Sequence, residues 1–394
     1  MPADKLDAQG TGGAPDAAAP LEARLATRLA ELCGSGLYRS LRAPSGIDLC
    51  SNDYLGLAQH PLVKSRMAAA AEAEGAGSTG SRLLRGERTC FARVEQAFAA
   101  FKRTDRSLYF SSGYLANLAV LTTFPEAGDV IFSDERNHAS LVDGIRLSRA
   151  EKVIFAHSDP EEVGRLLAGH RGVGQKFVVV ESLFSMDGDP APLAEYAALC
   201  RKFGAALIVD EAHAVGIYGE RGSGWIEERG IEGDVFVSIN TAGKALGVAG
   251  AFVAGSENAI EYLIQRGRTF VYSTAPPPAL AAALEASLEI IEKEPERRQR
   301  VLARAAELRA RISGHPVAIG ASQIIPFILG DNGRAMRVAR YLQEAGFDVR
   351  AIRPPTVPEG TARLRISVNQ GLSKVALERF AEALEAAAQS ATAS

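Results

Sequence analysis

Seven short apolar runs, at 107–110, 130–132, 152–155, 176–180, 206–209, 235–238 and 251–253, are spaced along the chain with helical stretches and turns between them. None shows the in-and-out alternation of a strand with one wet face. They read as parallel strands covered on both sides, and seven of them predict one large doubly wound α/β sheet. In such a sheet ligands gather outside the carboxyl ends of the strands, so the residues just past each run are the first to examine.

Two of those residues define a chemistry. Asp210, in VDEAH at 209–213, ends the 206–209 run, and Lys244, in TAGK at 241–244, follows the 235–238 run by a few residues. A carboxylate and a lysine so placed suit pyridoxal phosphate: Lys244 forms the imine, and Asp210 keeps the pyridine nitrogen protonated so that the ring accepts charge from the substrate α-carbon. Either segment alone reads equally well as a solvated strand end or a loop lysine; the pair, 34 residues apart, is what carries the reading. To form an imine Lys244 must be partly neutral, which burial promotes by lowering its pKa from about 10.4.

Other strand ends add to this set. FSSGY at 110–114 opens a helical run, so free N–H groups at Gly113 and Tyr114, with the Ser112 hydroxyl, form a phosphate seat. His138 follows the 130–132 run, where it can stack on a flat ring and exchange a proton, or simply serve as a structural histidine. His213 can meet the cofactor's phenolic oxygen or orient Asp210. Ser185 and Thr241 offer hydroxyls, although each is also an ordinary turn residue by itself.

The rest of the chain sets limits. Its 394 residues exceed one small core and predict a tail at 1–20, an N-terminal arm at 21–47, a large domain at 48–295 and a small C-terminal α/β domain at 296–394 with strands near 324–328, 348–350 and 363–366. Helical spacing is visible at 21–32, and the charged, Ala-rich 279–312 stretch reads as long helices. The net charge of −3 and the lack of a basic stripe argue against a nucleic-acid partner. Cys33, Cys50, Cys90 and Cys200 form neither a CxxC pair nor a metal-ligand spacing, and read as buried thiols of a reducing cytoplasm; no metal site is expected. No apolar run is long enough for a bilayer, and the tail has no secretory h-region, so neither a membrane nor export is expected.

Together SNDYLG at 51–56, FSMDG at 184–188, VDEAHAVG at 209–216, GKALG at 243–247 and IRPPTVP at 352–358 resemble the α-oxoamine synthases, pyridoxal phosphate enzymes of fold type I, over about 37–380. YSTAPPP at 272–278 and AIRPPTVPEGTARLR at 351–365 point within that family to a member acting on a pimeloyl group. The resemblance implies a large, mostly parallel sheet domain with a smaller C-terminal domain. It implies decarboxylative condensation of L-alanine with pimeloyl-CoA or pimeloyl-acyl carrier protein, in a homodimer with shared sites. It further implies that Lys244 also removes the α-proton, that His138 stacks on the ring and that His213 meets its O3′. Ser185, Thr241, Gly113 and Tyr114 fall where the family holds the phosphate or ring substituents, and Thr274 where the neighbouring subunit reaches the phosphate. Asn52 and Arg365 match positions that meet the amino acid, and Thr356 and Arg39, or Arg42 in its place, match substrate-site positions. The alternatives are a sister synthase taking glycine or another acyl thioester, such as a glycine C-acetyltransferase, an aminotransferase proper, and a regulator that binds the cofactor without turnover. Alanine and glycine differ by one methyl group, about 1–3 kcal/mol in a pocket.

Overall fold

The computed structural model describes residues 20–314 and 320–390. Of the expected 1–20 tail, all but Pro20 lies outside the described residues.

Among the described residues twelve strands follow in chain order: β1 (Ile47–Asp48), β2 (Arg106–Phe110), β3 (Val130–Asp134), β4 (Glu151–Phe155), β5 (Lys176–Glu181), β6 (Ala205–Asp210), β7 (Val235–Thr241), β8 (Ala251–Gly255), β9 (Ile324–Gly330), β10 (Phe347–Asp348), β11 (Ala351–Ile352) and β12 (Ala362–Ser367). All seven expected runs form one sheet in the order β2-β8-β7-β6-β5-β3-β4. Its pairings are parallel except at β8, which runs antiparallel to both β2 and β7. In β5 the run Phe177, Val178, Val179 and Val180 is buried on both faces. Alternate residues feed two cores: Phe177 and Val179 pack with the helix Gly113–Thr123, Val178 and Val180 with the helix Leu193–Phe203. At roughly 1.5–3 kcal/mol for each such side chain removed from water, the two-sided burial holds the strand ends in place.

The C-terminal lobe departs from expectation in one respect. The single strand expected at 348–350 is two two-residue pieces: β10 pairs with β1, and β11 pairs with β12 beside β9. Leu49 joins the small lobe's core, so residues 47–49 pack there although 48 was the expected start of the large domain. The long 279–312 helical stretch is the pair Pro278–Lys293 and Glu296–Arg311. The first has Pro at its start, where the missing N–H costs nothing, and buries Leu284, Leu288 and Ile291 against the large lobe. The helix Leu21–Gly34 buries none of its residues. The cysteines are all free, but only Cys90 and Cys200 are buried; Cys50 is half-buried, and Cys33 is exposed on a helix that buries none of its residues.

A charged clamp ties two strand-end loops together. His157 Nδ1 lies 3.0 Å from Asp134 Oδ1, and its Nε2 lies 2.7 Å from Asp189 Oδ2. Burial opposes the imidazolium, but hydrogen bonds to Asp134 and Asp189 and their charges outweigh it and push its pKa up to about 9. The stabilisation is complete below the unfolded value near 6.5 and is lost as pH rises through about 9. His157→Gln should therefore cost about 2 kcal/mol at low pH, with the gap to the parent protein closing as the solution turns alkaline. Denaturant titrations at both extremes check this; a gap independent of pH would mean that the ring is not cationic.

Candidate active site

The carboxyl ends of β5, β6 and β7, the helix Gly113–Thr123 and β12 of the small lobe converge on one cleft. Lys244 Nζ lies 2.8 Å from His213 Nε2. Burial lowers the lysine pKa, the negative charge of Asp210 partly restores it, and it comes to rest at about 8. His213 is buried, and burial followed by the positive charges of Lys244 and Arg365 holds its pKa well below the usual range, so its ring is neutral. Its Nδ1 lies 2.7 Å from the Tyr54 hydroxyl, which is also 3.1 Å from Asn52 Oδ1. That hydroxyl has one proton and two acceptors. Donated to Asn52, it leaves His213 Nε2 with a lone pair for the Lys244 ammonium; donated to His213, it turns an N–H toward the neutral amine. Lys244 can thus change protonation state without losing its partner.

His213 does not bond to Asp210, which corrects one of its two expected roles. Two residues past the end of β6 the chain has turned, so Asp210 Oδ1 accepts instead from Ala212 N at 2.9 Å and Oδ2 from Asn117 Nδ2 at 2.8 Å. Asn117 also donates to Ser140 Oγ at 2.8 Å, and that hydroxyl lies 2.7 Å from His138 Nδ1. Ser140 N also donates to His138 Nδ1 at 3.2 Å, so that ring nitrogen is an acceptor, the Ser140 hydroxyl proton goes to it, and the neutral ring is the Nε2–H tautomer. Burial, ahead of the Lys244 charge and against the Asp210 charge, lowers the His138 pKa and favours that neutral form. His138 is nonetheless partly exposed at the start of the helix Ala139–Leu147, where a flat ring could stack on it.

Glu181 stands beside Asp210 at the ends of adjacent strands. Burial and the Asp210 charge push its carboxyl up to about 8, so it carries a proton near neutrality. Its Oε1 is buried with no partner among the described residues.

The phosphate seat is visible as a close approach. A Cβ on Gly113 would fall 2.3 Å from Thr241 Oγ1, so only glycine lets the helix start meet the end of β7. Ser112 Oγ caps that helix by accepting from Leu115 N at 3.3 Å, which leaves its proton free to donate. Tyr114 is half exposed and its hydroxyl bonds to Asp143. Free N–H groups, two hydroxyls and the positive end of a helix dipole form a cradle that suits a phosphate. With Asp210 for a ring nitrogen and Lys244 for an aldehyde, the residues fit pyridoxal phosphate. Among the described residues no group of three or more side chains suits a metal ion.

Arg365, from β12, is buried at 7% exposure. Its Nε donates to Ser185 O at 2.5 Å, its Nη1 to Asn52 Oδ1 at 3.0 Å and to Ser367 Oγ at 2.8 Å, and its Nη2 to the Tyr54 hydroxyl at 3.3 Å. Every one of these partners is neutral. Ser185 itself is buried and enters through its carbonyl. Arg39 Nη2 reaches Thr356 Oγ1 at 3.3 Å, in a separate cleft at the edge of the small lobe. Thr274 is exposed, beside its own chain's Ser111 and Arg82. Sequence reasoning passed over Tyr54, Asn117, Ser140 and Glu181 as site residues. Glu181 ends its strand as Asp210 does, and Asn117 is the polar residue one turn after Gly113 in an apolar helix, so both had a signal; Ser140 had none.

Residues 44–384 match the family Aminotransferase class I and II, and the chain belongs to that family. It is 48% identical over 343 residues to an 8-amino-7-oxononanoate synthase of Anaeromyxobacter dehalogenans strain 2CP-1, covering 86% of each chain. To the 8-amino-7-oxononanoate synthase of Geobacter sulfurreducens it is 43% identical over 377 residues, 91% of this chain and 96% of that one. The serine palmitoyltransferase of Sphingomonas wittichii superposes with a TM-score of 0.88 at 30% identity, over 96% of this chain and 99% of that one. A solved SPT structure with a PLP internal aldimine gives 0.89 at 29% identity, over 95% and 100%. Within its family the chain falls among the α-oxoamine synthases, as its motifs led us to expect, and its fold is the fold type I transferase fold.

Proposed function

We propose that the protein is a pyridoxal 5′-phosphate-dependent acyltransferase that condenses L-alanine with a pimeloyl thioester. The products are 8-amino-7-oxononanoate, CO2 and the free carrier thiol, a step of biotin synthesis. The names of the relatives support the reaction, and one geometric observation carries the amino-acid half of it. Arg365 is a buried cation with only neutral partners, beside the Lys244–His213 pair, and a buried charge is tolerated when a counterion is supplied. The carboxylate of an amino acid is that counterion, received by a planar fork.

Bound in the Gly113–Thr241 cradle, the cofactor supplies an electron sink for negative charge at the substrate α-carbon. Lys244 anchors it and, with an amine near 8, takes up and returns the α-proton. His213 and Tyr54 take and give hydrogen bonds as that amine changes charge. Asp210 holds the proton of the ring nitrogen, and His138 covers the ring. Asn52 and Tyr54 keep Arg365 aimed at the carboxylate that is later lost. The acyl chain enters past Arg39 and Thr356. We place the enzyme in the cytoplasm as a homodimer whose second subunit brings Thr274 to the phosphate. No helix among the described residues is long and apolar enough to cross a membrane.

Arg365→Gln should raise the KM for L-alanine by roughly 30- to 150-fold, the equivalent of about 2–3 kcal/mol, with the cofactor spectrum unchanged. Steady-state kinetics with each substrate varied check this, and a KM that moves only for the thioester would assign Arg365 to the acyl chain instead.

The deciding experiment is mass spectrometry of the products after incubating the holoenzyme with pimeloyl-CoA or pimeloyl-acyl carrier protein and either L-alanine or glycine. The nine-carbon skeleton of a pimeloyl–alanine condensation, together with CO2, is the expected result. Product from glycine alone would make the protein a sister synthase, and no product from either would overturn the reading.

A further inference from the structure

The FSMDG turn at 184–188 follows β5 and is held by both lobes. Within the large lobe it closes on itself, Gly188 N donating to Phe184 O at 2.9 Å and Phe184 N to Asp189 O at 3.0 Å. From the small lobe, Ser322 Oγ donates to Gly188 O at 2.6 Å and Arg365 Nε to Ser185 O at 2.5 Å. Gly188 has a φ of +68°, and a Cβ on it would fall 2.4 Å from Ile324 O, so the turn presses against the start of β9. In all of these contacts the acceptor is a neutral backbone carbonyl.

Asp187, in the same turn, adds a charged link. Its Oδ1 accepts from Arg363 Nη1, and its Oδ2 accepts from Arg136 Nη1 at 3.1 Å. Arg136 stands two residues before His138 in the loop after β3, and Arg363 stands two residues before Arg365 on β12. One carboxylate thus joins the segment that carries His138 to the strand that carries Arg365. The Arg363 side chain is 5% exposed and that of Asp187 16%, and Asp187 is the only acid paired with Arg363 among the described residues. Alternate residues of a strand share a face, so Arg363 and Arg365 project on the same side of β12, with Cα atoms roughly 7 Å apart.

We propose that Asp187 is a positioning residue of the amino-acid site: by holding Arg363 and Arg136 at once it fixes where Arg365 stands. The inference rests on the reading of Arg365 as the receptor of the substrate carboxylate and deepens it. Asp187 acts on Arg365 by two routes. It anchors the neighbouring arginine on the same face of β12, and it anchors the turn whose Ser185 carbonyl takes the Arg365 Nε–H. A carboxylate shared by two guanidiniums sets distance and angle together, whereas apolar packing is non-directional. Because Arg363 and Asp187 are largely out of water, removing the acid alone strands a buried cation, and removing both strands nothing.

Spectral titration of the holoenzyme with L-alanine, alongside thermal melts and steady-state kinetics, separates positioning from plain stability. Asp187→Asn should lower the melting temperature by about 5 °C, because Arg363 loses its anion, and weaken alanine by about 10-fold. In Asp187→Leu combined with Arg363→Met no charge is stranded, so the melting temperature should return to near wild type. Alanine should stay about 10-fold weaker in that double variant, with the KM for pimeloyl-CoA unmoved. Arg136 is half-exposed, so Arg136→Gln should keep the fold and weaken alanine by about 3-fold, the scale of an exposed ion pair. A double variant that recovers alanine binding together with its melting temperature would overturn the proposal, and so would equal losses for alanine and the thioester. A wild-type spectrum that answers glycine and not alanine would retire the alanine reading, while the same variants titrated with glycine would still decide the role of Asp187. A spectrum that answers neither would overturn both.

Discussion

Lys244→Ala should abolish the visible absorbance of the lysine-linked cofactor and lower turnover by about 10³-fold, within the range for removing a positioned general base. The expectation follows from the state of the amine. At a pKa of about 8 it is neutral in roughly a quarter of molecules at pH 7.5, against about one in a thousand for an ordinary lysine. Its one close side-chain partner among the described residues is His213, so no other amine stands ready to take its place. Removal deletes a desolvated charge and leaves His213 bonded to Tyr54, so the fold should survive with a melting temperature within a few degrees of wild type. The spectrum of the reconstituted variant is the direct readout, and a melt controls for unfolding. An undiminished band would sink the assignment of Lys244.

Asp210→Asn should leave the cofactor bound through the Gly113–Thr241 cradle but cost about 10²- to 10³-fold in kcat, the scale for losing one preorganised electrostatic contact. Asp210 accepts from both Asn117 and Ala212 N, and as an anion it has lone pairs left for a ring N–H. An amide in its place must turn its own NH2 toward one of those donors or toward the ring. In neither orientation does it hold a proton on the ring nitrogen. A cofactor methylated at that nitrogen, which carries its positive charge permanently, should recover much of the loss in the variant. A near-normal kcat in Asp210→Asn would mean that another group, with Glu181 the nearest acid, supplies the charge.

The parts of this site that were legible beforehand share one property: each is announced within its own segment. An apolar run followed by Asp210, or by Lys244, is a strand end because two buried faces demand an unbroken apolar run, and a strand end in a doubly wound sheet is where ligands sit. Gly113 stood out as a turn glycine, and the structure supplies its reason in the approach of Thr241. The second ring of residues lacks such a local sign. Ser140 acquires a function only because Asn117, 23 residues earlier in another helix, donates to it. The misjudged strand at 348–350 fails for a related reason, since its halves take partners from opposite ends of the chain, β1 and β12.

What the sequence determined by itself is the sheet, its strand ends and the two charged groups that name the chemistry, because unbroken apolar runs and the turns that end them are set over a few residues. What the tertiary structure decided is the protonation state of those groups and what opposes them. Arg365 reaches Asn52 across 313 residues and Tyr54 across 311, and the cleft at the edge of the small lobe joins residue 39 to residue 356. Electrostatics and desolvation depend on distance through space, and only the docking of the small lobe on the large one sets those distances.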